Sequence, residues 1–116
     1  MSKPYNLEER TFEFAKDVRI FIKSISKTIA NIEDSKQVVR SSGSVGANYI
    51  EANESLSKKD FTFRIKICRK EAKESTYWLR LIRDTNELDN NNVVDKLIQE
   101  SIELKKIFSA IIEKSK

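Results

Sequence analysis

The sequence has 116 residues, of which 39% are hydrophobic and 34% charged, with two glycines and one proline. This composition is typical of one helical domain with a single core, because sheet proteins need far more turn residues. Cys68 is the only cysteine and histidine is absent, which excludes an intramolecular disulfide, a conventional zinc site and a Cys/His catalytic pair.

The positive charge is concentrated in one segment. The net charge is +4, and residues 57–84 contain nine basic and four acidic residues, so they carry +5 and the remainder carries −1. The first fourteen residues lack the apolar core of a secretion signal, and no apolar run approaches about 18 residues. We therefore expect a soluble, cytoplasmic protein with no membrane partner.

The first predicted helix covers residues 6–27. Its buried face is predicted from apolar residues at steps of three and four: Phe14, Val18, Phe21, Ile22, Ile25 and Ile29. Phe12 and Ile20 fall outside this face. They are either ordinary exposed residues or part of a subunit contact.

The second predicted helix covers residues 33–53 and contains the unusual stretch RSSGSVGANYIEANES, residues 40–55. Local propensity is equally compatible with a loop here, because serine and glycine are frequent in turns. A phosphate-binding loop is disfavoured, since GSVG matches no phosphate-binding motif and follows no strand. If the stretch is helical, Gly43 and Gly46 share one face with Ala47 at its edge. That face predicts close packing against a helix backbone or an aromatic ring such as Trp78.

The third predicted helix covers residues 57–84, with Ser57 as N-cap and Asp60 in the carboxylate position of a capping box. Its cations fall on one line of the helix surface with two more beside it. They are candidate nucleic-acid-binding residues: Lys59, Lys66, Lys70, Lys73 and Arg80, with Arg69 and Arg83 beside them. The apolar residues span an arc of roughly 200°, wider than an ordinary surface helix shows. Such a helix is either central or covered by another subunit.

Three charged residues fall inside this apolar arc: Arg64, Glu71 and Glu74. They need partners or access to solvent, because burial of an unpaired charge costs free energy. They belong to a predicted polar network between the second and third helices: Arg40, Asn48, Glu51, Arg64, Glu71 and Glu74. Arg40 and Glu51 are three turns apart and cannot pair with each other. Glu71 and Glu74 are candidate partners for Arg40, and Arg64 is one for Glu51. A magnesium or manganese site formed by the glutamates is the less favoured alternative.

The fourth predicted helix covers residues 93–114 and follows the clearest turn in the chain, at residues 84–92. Its broad apolar face again repeats at steps of three and four. Short connections between four long amphipathic helices predict an all-α, antiparallel up-and-down four-helix bundle forming a single domain over residues 1–116.

Residues 38–82 resemble the signature of the 23S rRNA intervening-sequence protein family, a group of small bacterial four-helix-bundle proteins. The matching motifs are RSS.SVGAN at residues 40–48, EA at 51–52, S.KDF at 57–61 and KEA.ES.YWL at 70–79. The first and fourth helices agree with the family in length and periodicity. The resemblance implies that residues 40–55 lie in the second helix and that the protein forms a homopentameric ring.

The resemblance also extends to the accessory variability-determinant protein of diversity-generating retroelements, which works with a reverse transcriptase and binds nucleic acid. It therefore implies RNA or DNA as a partner, and a reverse transcriptase where the chain occurs in a retroelement.

The function expected is that of a non-enzymatic assembly protein that binds RNA or DNA through the basic face of the third helix. The alternatives are a protein-interaction scaffold with no nucleic-acid role and a basic face that only keeps the bundle soluble. We expect no catalytic residue, metal or cofactor. Cys68 and Trp78 are interpreted as packing residues, and Tyr77 as a packing residue or a stacking surface.

Overall fold

The computed structural model describes residues 6–116; residues 1–5, which begin the segment considered above as a secretion signal, lie outside it. The described chain forms four α-helices and no strand: α1 (Leu7–Ile22), α2 (Ile29–Asn53), α3 (Lys58–Thr85) and α4 (Asn92–Lys114).

The helices form an antiparallel four-helix bundle. Each packs against its neighbour in the chain and α4 packs against α1, whereas the diagonal pairs do not approach within the described residues. Contacts between α2 and α3 show the antiparallel direction, since Asn48 meets Arg64 near one end and Asn31 meets Asn86 near the other. The prediction of an all-α four-helix bundle is confirmed.

The core lies along the bundle axis and consists of apolar side chains from all four helices. Phe14, Val45, Ile65, Leu79 and Phe108 are almost completely shielded from solvent. Burial of one such side chain contributes about 1.5 to 3 kcal/mol, so the core side chains together are a major source of the driving force for folding.

The first helix is shorter than the sequence pattern predicts, because α1 ends at Ile22 and α2 begins at Ile29. The backbone N–H of Ser24 and its hydroxyl both donate to the Phe21 carbonyl (2.9 and 2.6 Å), which closes the last turn tightly. Thr28 then caps α2, its hydroxyl accepting from the backbone N–H of Asn31. The expectation that Ile29 belongs to the buried face of the first helix is therefore wrong: it begins α2 and is 86% exposed.

The glycine-containing stretch is helical, and α2 continues through it to Asn53. Neither Gly43 nor Gly46 has a positive φ, so neither serves as a turn residue. The helical interpretation is confirmed, and the loop interpretation is wrong. Packing against α1, described below, compensates for the low helix propensity of glycine.

The start of α3 agrees with the sequence. Ser57 is its N-cap, and the serine hydroxyl accepts from the backbone N–H of Asp60 at 3.1 Å. Within the described chain, none of the four helices is both long enough and apolar enough to span a membrane.

Candidate functional site

A charged cluster joins the middle of α2 to the middle of α3. The Arg40 guanidinium donates to both carboxylate oxygens of Glu71 (3.3 and 3.4 Å) and to the carboxylate of Glu74. Glu71 is only 7% exposed, so Arg40 neutralises a carboxylate that would otherwise be buried without a counter-charge. The Trp78 indole N–H donates to the same oxygen of Glu74 at 3.5 Å. These contacts hold α2 and α3 in register with each other.

Arg64 and Asn48 form a second polar contact nearer the end of the bundle. The Arg64 guanidinium donates to the Asn48 side-chain oxygen at 3.0 Å, and the Asn48 amide donates to the carbonyl and hydroxyl of Ser44. Glu51 is exposed and has no side-chain ion pair within residues 6–116. The structure therefore brings Arg64 to Asn48 and leaves Glu51 outside the network.

The two glycines face α1. A Cβ added to Gly46 would lie 2.8 Å from the Thr11 hydroxyl oxygen, and one added to Gly43 would lie 3.0 Å from the Arg19 guanidinium. Trp78 is not among the nearest groups to either glycine; its ring instead contacts Tyr77 edge-on. Ala47 is exposed and lines a groove between α1 and α2 together with Phe12 and Ile50. The close helix approach is thus between α2 and α1.

A basic recess lies between α3 and α4. We use this name for the depression lined by four cations of α3, one of α4 and a serine: Lys66, Arg69, Lys70, Lys73, Lys105 and Ser109. In the described part of the chain, none of these five cations has a carboxylate within 4 Å. Five uncompensated positive charges around one depression attract anions such as phosphate.

The other three candidate cations lie elsewhere on α3. Lys59 and Arg80 are exposed outside the recess. Arg83 donates to the carboxylates of Asp84 (2.8 Å) and Asp95 (3.1 Å), so its charge is compensated locally. The hydrogen bond from Arg83 lowers the pKa of Asp84 and raises that of the guanidinium itself. Of the seven predicted cations, the structure brings four together.

Lys105 is the member of the recess that sequence reasoning missed. On α4 it follows Leu104, a fully buried residue, and precedes Lys106, which pairs with Glu103 at 3.7 Å. Only the packing of α4 against α3 places Lys105 beside the cations of α3, and no local motif signals this.

The structure also bears on the groups considered for catalysis or metal binding. Among residues 6–116, no group of three or more His, Cys, Asp or Glu side chains is arranged to hold a metal ion. Glu71 and Glu74 instead share Arg40. Cys68 is completely buried, and burial raises the pKa of its thiol to about 12, which keeps it protonated at neutral pH.

The sequence and the fold of this chain are both similar to those of known proteins. The sequence model described as 23S rRNA-intervening sequence protein matches residues 5–110. The chain is also similar to the crystal structure of a protein of unknown function from the S23 ribosomal protein family of Bacteroides thetaiotaomicron. The two share 30% identity and a TM-score of 0.79, over 90% of this chain and 96% of the other. No curated protein matches the sequence. The chain therefore belongs to the 23S rRNA-intervening sequence protein family.

Proposed function

We propose that this protein is a non-enzymatic, homo-oligomeric assembly protein that binds the phosphate backbone of RNA or DNA through the basic recess. The observation that carries the proposal is the grouping of Lys66, Arg69, Lys70, Lys73 and Lys105 without a carboxylate partner in the described chain. Lysine and arginine side chains that keep their charge uncompensated are available to displace counterions from phosphates.

The chemistry of the recess favours backbone binding over sequence readout. Lysine ammonium groups bind phosphates as point charges, and such contacts position a nucleic acid without reading its bases. For about four or five phosphate contacts, the logarithm of the association constant falls with the logarithm of salt concentration with a slope of about −3 to −4.5. Binding is therefore expected to be strong at low salt and weak at high salt.

The homo-oligomeric part of the proposal is supported by apolar side chains on the surface of a single chain. Phe12 is 61% exposed and lines the groove between α1 and α2 with Ala47 and Ile50. Repetition of the basic recess around an oligomer would raise affinity for a long strand through multivalent contact. A strictly monomeric mass in solution, at the protein concentrations used for binding, would contradict the homo-oligomeric part of the proposal.

The alternative is a protein-interaction scaffold with no nucleic-acid role, and the same apolar groove favours it. The decisive experiment changes Lys66, Lys70 and Lys73 together to glutamate and measures RNA and DNA binding across a salt series. The matched control changes Lys23, Lys27 and Lys36 together to glutamate. These lysines lie on α2 or in the α1–α2 connection, and their substitution changes the net charge by the same amount.

We expect the recess variant to lose at least tenfold in affinity, and the control variant to lose far less. Equal losses in the two variants would show that only net charge matters. Absence of binding by the wild-type protein at low salt would exclude the nucleic-acid role and favour the scaffold.

A further inference from the structure

The exposed face of α3 carries five cations and two aromatic rings along one line. Seven residues follow one another at steps of four and three, which keeps them on one side of the helix: Lys59, Phe63, Lys66, Lys70, Lys73, Tyr77 and Arg80. All seven are exposed. This aromatic–basic stripe continues past the basic recess toward the C-terminal end of α3, and its two rings have different surroundings.

Tyr77 lies between two cations of the stripe, and Glu74, three residues before it, is paired with Arg40. Tyr77 follows Lys73 by four residues and precedes Arg80 by three, about 6 and 4.5 Å along the helix axis. Tyr77 is 55% exposed. If a nucleotide base stacked on this ring, Lys73 and Arg80 would therefore offer positive charges to the phosphates on either side of that base.

The Tyr77 ring is also held on one side by a second aromatic ring. It meets the Trp78 ring edge-on, with 5.0 Å between centroids and an interplanar angle of 79°. Trp78 in turn donates to Glu74, which Arg40 holds from α2. A ring fixed on one side and open on the other loses little conformational freedom when a flat ligand stacks on it.

Phe63 provides the contrast on the same stripe. It is 61% exposed, slightly more than Tyr77. However, Phe63 lines a depression that contains one cation, Arg64, and three carboxylates, so the charged groups around it are mainly acidic: Glu51, Glu54 and Asp60. Carboxylates repel phosphate, so a strand on Phe63 would gain stacking while losing favourable electrostatics.

We infer that Tyr77 is a stacking surface for an unpaired base, so that the nucleic acid bound along the basic recess and the Tyr77 end of this stripe is single-stranded. The inference rests on the proposed backbone-binding function and specifies its ligand. In a duplex the faces of each base are covered by neighbouring base pairs, whereas a single strand can place a base on an aromatic side chain. Stacking tolerates any base, in keeping with a recess that binds phosphates without reading sequence.

The test compares single-stranded and duplex ligands of equal length. Fluorescence anisotropy with a labelled oligoadenylate of about twelve nucleotides, and with a duplex of about twelve base pairs, gives the two affinities at low salt. The variants are Tyr77→Leu, which removes the aromatic face, Tyr77→Phe, which keeps it, and Phe63→Leu as the matched control. Thermal denaturation verifies that each variant is folded.

We expect Tyr77→Leu to weaken oligoadenylate binding about fivefold to tenfold and to leave duplex binding within about twofold. Tyr77→Phe and Phe63→Leu should retain wild-type affinity for both ligands. Trp78, the only tryptophan, supplies a second readout. Its emission should change on addition of oligoadenylate to the wild-type protein and much less in Tyr77→Leu.

Three results would overturn the inference while leaving the proposed function standing. The first is an equal loss of single-strand and duplex binding in Tyr77→Leu, and the second is no loss in either. The third is a change in solution mass in Tyr77→Leu without loss of single-strand preference, which would assign Tyr77 to contact between copies. If the wild-type protein binds neither ligand, the proposed function itself fails and the inference with it.

Discussion

Thr11 and Gly46 meet where α1 packs against α2, and the missing side chain of the glycine makes room for the threonine. A Cβ at Gly46 would lie 2.8 Å from the Thr11 hydroxyl oxygen and 3.2 Å from its Cβ. Thr11 is completely buried, and its hydroxyl donates to the Leu7 carbonyl at 2.6 Å. The threonine is thus held in place and cannot move aside without losing this hydrogen bond.

Gly46→Ala is therefore expected to destabilise the bundle. Overpacking costs about 1 to 3 kcal/mol, which outweighs the gain of about 1 kcal/mol in helix propensity. Gly43→Ala is the matched control, because its added Cβ meets only the end of the flexible Arg19 side chain. We expect Gly43→Ala to be neutral or stabilising. Urea denaturation of both variants gives the comparison, and a Gly46→Ala protein as stable as Gly43→Ala would contradict it.

Removal of Arg40 should leave a buried carboxylate without its counter-charge. Because the Arg40 side chain is half exposed, water screens part of the loss, and we expect Arg40→Leu to cost about 1 to 3 kcal/mol of unfolding free energy. Adding Glu71→Gln to this variant should recover much of that loss, since the buried charge is then gone. Adding Glu74→Gln should recover less, because Glu74 is more exposed than Glu71. Equal recovery by the two glutamine substitutions would show that burial of Glu71 is not the cause.

Two cations of α3 should differ in their effect on nucleic-acid binding. Lys70 lines the basic recess without a carboxylate partner in the described chain, whereas Arg83 is bonded to Asp84 and Asp95. Lys70→Gln is expected to make the salt-dependence slope shallower by about one, as loss of one phosphate contact does. Arg83→Gln should leave the slope unchanged. Binding measured across a salt series tests both, and an equally shallower slope in the two variants would show that pairing with Asp84 and Asp95 does not keep Arg83 out of the binding surface.

Cys68 should be unreactive in the folded protein. Its thiol is completely buried and has a pKa of about 12, so the reactive thiolate is scarce and shielded from reagent. A thiol reagent such as iodoacetamide should label it only after unfolding. Rapid labelling in native buffer would mean that the core opens readily around this residue.

The raised pKa of the Cys68 thiol also makes the stability of the folded protein depend on pH in the alkaline range. In the unfolded chain the thiol deprotonates near its ordinary pKa of 9.0, whereas in the folded protein it keeps its proton up to about pH 12. Its contribution to stability is therefore fully present below pH 9 and is lost as pH rises toward 12. Denaturation of the wild-type protein and Cys68→Ala over this range should show the wild type losing more stability, and parallel curves would exclude the linkage.

The sequence determined the fold class and six of the eight helix ends to within one residue: the starts of α1, α3 and α4 and the ends of α2, α3 and α4. Apolar periodicity carries this information because a bundle helix must bury one continuous face. The same pattern misplaced the connection between α1 and α2. The side chains that close it, Ser24, Thr28 and Asn31, make hydrogen bonds that apolar periodicity does not encode.

The sequence also identified which residues are chemically unusual, whereas the tertiary structure decided what each one contacts. Arg40, Glu71 and Glu74 stand out from their helix faces, but only the register of α2 against α3 brings them together. Gly46 signals close packing, and the packing of the helices selects Thr11 as its neighbour. Lys105 has no distinguishing local pattern, and the approach of α4 to α3 places it in the basic recess. Periodicity fixes the face on which a side chain lies, but the rotation and register between helices fix its neighbours.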